Sequence, residues 1–231
     1  MSCFADHVVV AAASLVPISS AIPLPVAALF GCALMTGVGS VINTARVRPG
    51  ASLAIFGLGG VGMAVLLGAS LAGAHPIIVI DPSGEKRQLA EELGATYSLS
   101  PHESAVEQIR ALSGGGVEYA FDAVGATEVL ADAFHATGRG GTTVAVGLPH
   151  PDRTLELPAA VITAEARHLV GSYMGSAVPV RDVPRLVALY QAGRLPVERL
   201  LSRSVRLSEI NSALDDLAAG TLVRQVITPG R

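Results

Sequence analysis

Residues 52–62 read SLAIFGLGGVG, and the fold turns on this stretch. Ser52–Phe56 is a short apolar run of the kind found in strands buried on both faces. Gly57, Gly59 and Gly62 then fit the pattern G-x-G-x-x-G, and the small-residue segment from Gly62 to about Ala72 reads as a helix. Alone, the glycine string is weak evidence, because a chain with 25 glycines produces such strings by chance. Its setting makes it specific. It follows an apolar strand, opens a helix, and is followed 19 residues after Gly62 by Asp81, which closes the next apolar run, Ile77–Ile80. That arrangement is the fingerprint of a dinucleotide-binding turn. Gly57 permits the tight turn, Gly59 lets backbone approach a pyrophosphate, and Gly62 lets the helix pack on the strand. The free N–H groups at the helix start, around Gly60 and Val61, favour a diphosphate. Asp81 accepts hydrogen bonds from the ribose hydroxyls. A 2′-phosphate beside it is repelled by about 1 kcal/mol in water and about 4 kcal/mol at an effective dielectric of 20, so NAD is expected over NADP. A methyltransferase-type nucleotide site is the alternative with the same opening.

Working outward, strands and helices alternate. Ser83 reads as the N-cap of a helix running to Leu93 and closed by Gly94. Thr96–Leu99, Tyr119–Ala123 and Thr142–Val146 read as strands, with helices at Glu103–Leu112 and Thr127–Ala136 between them. Such alternation implies right-handed βαβ units and a parallel sheet of the doubly wound, Rossmann type. His168–Tyr173 is apolar enough for a sixth strand, after a short helical stretch near Ala159–Ala164. The ends differ from this centre. Ala5–Ala11 reads as one strand before a Pro-punctuated loop, and Ser208–Ala219 carries Ile210, Ala213, Leu214 and Leu217 on one helical face. The division expected is 1–33, 34–173 for the dinucleotide domain, and 174–231.

Composition narrows the function classes. The chain has 231 residues, a net charge of −3 and only 15% charged residues, which gives no basis for binding nucleic acid. Two cysteines make no disulfide framework, so a reducing cytoplasm is the default. Residues 8–45 and 49–80 lack Asp, Glu, Lys and Arg, as a membrane span would. Prolines and glycines interrupt both, so a buried core and no membrane partner are expected. The six histidines show no metal-ligand spacing.

The chain resembles the zinc-dependent alcohol dehydrogenases of the medium-chain dehydrogenase/reductase superfamily over nearly its whole length. The resemblance is carried by GCALMTGVGS (31–40), RPGASLAIFGLGGVG (48–62), VIDPSGEKRQLAEELGA (79–95) and FDAVG (121–125). VAVGLP (144–149), GSYMG (171–175) and SEINSALDDLAAGTLVRQVI (208–227) complete it. It implies that Cys32 is one ligand of a catalytic zinc, and that Thr36 and Val61 pack on the nicotinamide ring. It places Lys86 near the adenosine ribose, Val124 beside adenine, and the main chain of Val146, Ser172 and Met174 at the carboxamide. Arg224 meets the pyrophosphate, while Leu148 and Tyr173 line the substrate pocket. NAD and zinc are the implied cofactors, an alcohol or aldehyde the substrate, and a homodimer or homotetramer the assembly.

Two further zinc ligands and the proton relay of that family lie upstream of the Cys32 equivalent, in a Gly-His-Glu context this chain lacks. A catalytic zinc needs three protein ligands. The chain therefore reads as the C-terminal portion of such an enzyme, flanked by remnants of a GroES-like catalytic domain and inactive by itself. A zinc-free quinone or enoyl reductase of the same superfamily and a non-catalytic NAD-binding module are the competing readings. Cys32 and Asp81 argue against the first, and the absent ligands favour the second.

Overall fold

Strand β1 (Leu53–Phe56) has no polar face because the protein leaves it none: all four residues are buried. It lies inside a six-stranded, wholly parallel sheet, with β2 (Ile77–Ile80), β3 (Tyr97–Leu99), β4 (Val117–Asp122), β5 (Thr137–Ala145) and β6 (His168–Gly171). The order is β3-β2-β1-β4-β5-β6. The computed structural model describes residues 4–5, 7–101 and 104–228. Alternation along β1 sorts its residues to two cores. Leu53 and Ile55 join Met63 and Leu66 of helix α2 (Gly60–Ala72), and Ala54 and Phe56 meet Ile109 and Ala133 on the other side. Each large aliphatic so buried is worth about 1.5–3 kcal/mol.

The remaining sheet helices are α3 (Gly84–Glu92), α4 (Ala105–Leu112), α5 (Thr127–Ala136) and α6 (Ala159–Ala164). Ser83 caps α3 as expected, its hydroxyl accepting from the Lys86 N–H at 3.4 Å. Beyond the sheet come α7 (Pro179–Gln191), α8 (Ile210–Ala218) and a parallel pair, β7 (Arg203–Arg206) with β8 (Gln225–Thr228).

Several expectations need correction. Residues 24–45 form one helix, α1 (Leu24–Ala45), long and apolar enough to cross a membrane by length and composition. Its glycines do not break it, and Phe30–Leu34 and Ser40–Ala45 are wound more widely than an α-helix. A Cβ on Gly37 would meet Ala64 Cβ and Val61 O at 2.5 Å, and one on Gly68 would meet Val38 Cα at 3.0 Å. The glycines thus cost helix propensity, about 1 kcal/mol each, and gain close contact between α1 and α2. A run of buried residues, Ala33 to Val41, shows the result: α1 is a core helix here. Residues 7–11 are not a strand, since no described strand pairs with them; Asp6 lies outside the described residues, as do Cys3, His102 and Glu103. Strand β5 starts at Thr137, five residues early, with an irregularity opposite Val117 and Tyr119 that its glycines accommodate. Strand β6 ends at Gly171, because the chain turns sharply at Met174.

Candidate functional site

The chain order of the strands reverses between β1 and β4, and ligands of open α/β sheets bind at the carboxyl ends beside such a switch. At that point Gly57 turns out of β1 with φ +89°, a conformation that favours glycine. A Cβ on Gly62 would lie inside the carbonyl oxygen of Gly57, so only glycine lets α2 start this close to the strand. Gly59 differs: nothing lies within 4 Å of where its Cβ would be. It is the N-cap of α2, and no side chain caps that helix. The first-turn N–H groups therefore face an open approach with no side-chain partner.

Asp81 sits just past β2 and is buried. Its Oδ2 accepts the Leu58 N–H at 2.7 Å and its Oδ1 the Ser83 N–H at 2.9 Å. The carboxylate thus stitches the glycine turn to the start of α3, with lone pairs left for a ligand. A groove of 390 Å³ opens from this point. Gly57, Gly59, Asp81, Lys86 and Val124 all line it, five of the residues singled out from sequence. Lys86 is buried in its wall, and Val124 is half exposed at its side. Arg224 reaches the same helix start from the other flank, its Cδ 3.2 Å from where a Cβ on Gly60 would be.

A second cluster lies over β5 and β6. Thr36 of α1 is buried, and the backbone around it packs on both Val61 and Gly175. The Ser172 N–H donates to Ala145 O at 2.9 Å and the Val146 N–H to Asp122 O at 2.9 Å, fixing both strand ends. Met174 stands beside them in a left-handed conformation, φ 48° and ψ 33°. Leu148 (83% exposed) and Tyr173 (79% exposed) project outward into solvent. Cys32 is exposed on α1, one turn before Thr36. Among the described residues no three His, Cys, Asp or Glu side chains gather where a metal ion could be held. The described residues therefore leave room for a dinucleotide and do not by themselves supply the ligand set of a zinc ion.

Three residues escaped the sequence reading. Asp122 is almost fully buried, its Oδ1 accepting the N–H groups of Val124 and Gly125 at 2.9 and 3.1 Å. Burial pushes its carboxyl above the ordinary range, against those two bonds. An Asp ending an apolar strand two residues before a Val-Gly turn was the available signal. Asp132 lines the far end of the groove with Val129, one turn apart on α5; desolvation raises its carboxyl too. Arg87 donates to the Asp81 and Pro82 carbonyls at 2.6 and 3.0 Å, bracing the loop from outside.

Comparison with known proteins bears on the family and the fold. The chain is 37% identical to the geraniol dehydrogenase of Castellaniella defragrans over 98% of its own length and 61% of that protein's. It is 35% identical to the NDMA-dependent alcohol dehydrogenase of Amycolatopsis methanolica, covering 62% of it. The crystal structure of benzyl alcohol dehydrogenase from Acinetobacter calcoaceticus superposes with a TM-score of 0.89 at 30% identity, over 93% of this chain and 59% of that one. The chain thus spans about three fifths of the relatives it matches. A family model described as zinc-binding dehydrogenase matches residues 60–192, more than half of the chain. The chain belongs to that family, the zinc-type alcohol dehydrogenases of the medium-chain dehydrogenase/reductase superfamily.

Proposed function

We propose that this chain binds NAD across the carboxyl edge of its sheet, as the cofactor-holding part of an NAD-dependent alcohol dehydrogenase. The observation that carries the proposal is the uncapped start of α2, with Gly59 leaving open space above it and Asp81 buried beside it. Residues 34–173 supply most of the cofactor's contacts in this reading, and 1–33 with 174–231 belong to the catalytic part, from which Met174 and Arg224 also reach the cofactor. The diphosphate lies on the N–H groups of Gly60, Val61 and Gly62, with Arg224 neutralising its outer face. The adenosine ribose donates to Asp81 with Lys86 near it, and adenine lies along Val124. The nicotinamide lies against Thr36 and Val61, with its carboxamide on main-chain groups of Val146, Ser172 and Met174. Bound NAD supplies the hydride acceptor; the residues of this chain hold and orient it. Primary or secondary alcohols, or the matching aldehydes, are the substrate class, in keeping with the names of the geraniol and benzyl alcohol dehydrogenases it resembles. Leu148 and Tyr173 offer an apolar wall to that substrate.

A calorimetric titration of the chain with NAD and NADP tests this reading. NAD is expected to bind roughly one to three decades more tightly, the range set by one charge repulsion at Asp81; equal affinities would remove Asp81 from the role. A second reading, an NAD-binding module without turnover, is favoured by Cys32 belonging to no group of three metal-ligand side chains among the described residues. The same preparation is then expected to retain well under one zinc per chain after dialysis and to leave alcohols unoxidised. Stoichiometric zinc by atomic emission would defeat that second reading.

A further inference from the structure

The sharpest backbone feature outside the glycine turn is the segment after β6. Met174, Gly175 and Ser176 are left-handed in succession, with φ 48°, 67° and 48°. Two of the three carry side chains, and such conformations persist only where the surroundings over-determine them. Here the surroundings are the last turn of α1. Thr44 Oγ1 lies 2.8 Å from Ser172 Oγ and 2.8 Å from Ser176 Oγ, spanning the turn from its first residue to its last. A hydroxyl has one proton and two lone pairs, so the Thr44 oxygen can serve both serine hydroxyls at once, whichever partner donates in each bond. Asn43 Nδ2 donates to the Gly175 carbonyl at 3.2 Å. Gly175 itself presses on the Thr36 carbonyl, where a Cβ would come within 2.7 Å, and Gly39 leaves room for it.

None of these groups touches the groove beside Asp81. They converge on the other side of the strand switch, where a dinucleotide crossing the sheet edge lays its second half. We propose that Thr44 is a positioning residue for the nicotinamide half of the cofactor: by tying Ser172 to Ser176 it holds the 172–176 turn in its strained form against Thr36. The inference rests on the dinucleotide reading above and adds to it a residue that touches no cofactor atom. Its signature is selective. Loosening the turn must weaken ligands that carry nicotinamide and spare those that end at the second ribose.

The test is calorimetric titration of the full chain with NAD and with ADP-ribose, which shares every part of NAD except the nicotinamide. Thr44→Val, nearly the same shape without the hydroxyl, is expected to weaken NAD about tenfold, the scale of one or two net hydrogen bonds, while ADP-ribose changes by less than about twofold. Thr44→Ser restores the hydroxyl and is expected to restore NAD affinity. Ser176→Ala, which removes one of the two bonds at an exposed position, is expected to give a smaller loss of the same selective kind. The proposal is overturned if Thr44→Val weakens both ligands equally, which marks a general structural role, or if it weakens neither. It is also overturned if the parent chain binds NAD no better than ADP-ribose. A parent chain that binds neither compound overturns the dinucleotide reading itself, a separate and recognisable failure.

Discussion

Gly59 and Gly62 stand three residues apart in one loop, and they lack side chains for opposite reasons. Gly62 is glycine because the Gly57 carbonyl occupies the place of a Cβ; Gly59 has open space there. Gly62→Ala is therefore expected to destabilise the fold by about 1–3 kcal/mol, the usual cost of forcing a methyl into filled space. Gly59→Ala is expected to leave stability within about 1 kcal/mol, since an alanine N-cap is only modestly worse than glycine. In the proposed binding mode its methyl stands where the diphosphate approaches, so NAD affinity is expected to fall. Thermal melts and titrations of the two variants separate the cases; a Gly59→Ala chain that binds NAD as well as the parent would take the diphosphate away from this loop. Asp81 shows why the ratio of NAD to NADP is the better readout than either affinity. Its carboxylate also holds the Leu58 and Ser83 N–H groups, so any substitution loosens the turn for both cofactors alike.

Elements whose local pattern and flanking turns agree were legible from sequence, and elements whose reason is a neighbour were not. Helix α5 and strand β2 fall where their patterns put them, because propensity, burial and flanking turn residues agree there. Helix α1 was hidden, since Gly31, Gly37 and Gly39 read locally as interruptions and only contact with α2 and the 172–176 turn explains two of them. The candidate site divides in the same way. Its glycines and Asp81 announce themselves by spacing; Asp122 carried only a weak local signal before its Val-Gly turn, Asp132 is marked by desolvation, and Thr44 acts through bonds to a segment far along the chain. Helix α7 supplies an element whose stability can be tested. Asp182 Oδ2 accepts the Val178 N–H at 2.8 Å, satisfying a donor at the start of the helix, and Arg181 pairs with the same carboxylate at 2.7 Å. The Arg181 guanidinium, helped by the Val178 N–H, holds the Asp182 carboxyl below the ordinary carboxylate range. A depressed carboxyl contributes stability that is present above its unfolded pKa and lost as pH falls through the folded one. Asp182→Ala is expected to cost about 1 kcal/mol near neutral pH, the usual worth of a lost cap bond, since the Val178 and Arg181 donors it leaves are open to water. The gap between parent and variant is expected to shrink as pH falls through and below the ordinary carboxylate range, where the unfolded chain takes up a proton at Asp182 before the folded one does. Melting temperatures that stay equally far apart from pH 7 to pH 3 would show that the charge is not what stabilises α7.

At the scale of the whole molecule, the sheet ends on β6, which pairs with β5 and with no other described strand. Unpaired backbone groups along such an edge invite another chain unless something covers them. Leu169 points away from the core and is 41% exposed, and Ile162 of α6 is 41% exposed as well. Val170 is different, being partly buried against the core. A twofold axis beside β6 would cover the edge with its own copy, because an isologous contact is self-complementary. We therefore expect the chain to form a dimer through this strand, with tetramers built on it as a further possibility of the same symmetry. The variant that tests the idea must strike the edge and spare the core. Val170→Lys would do both kinds of damage at once, whereas Leu169→Lys places a charge on the exposed side of the strand, where only the partner is crowded. Leu169→Lys is expected to convert the dimer to monomer in light scattering while the melting temperature at low protein concentration and the affinity for NAD stay close to the parent's. The edge is not the interface if the parent is already monomeric at tens of micromolar, or if Leu169→Lys leaves its mass unchanged. Either result would mean that β6 is shielded within one chain, and that the apolar faces of Leu169 and Ile162 are tolerated singly by a surface that is otherwise polar enough to remain dispersed.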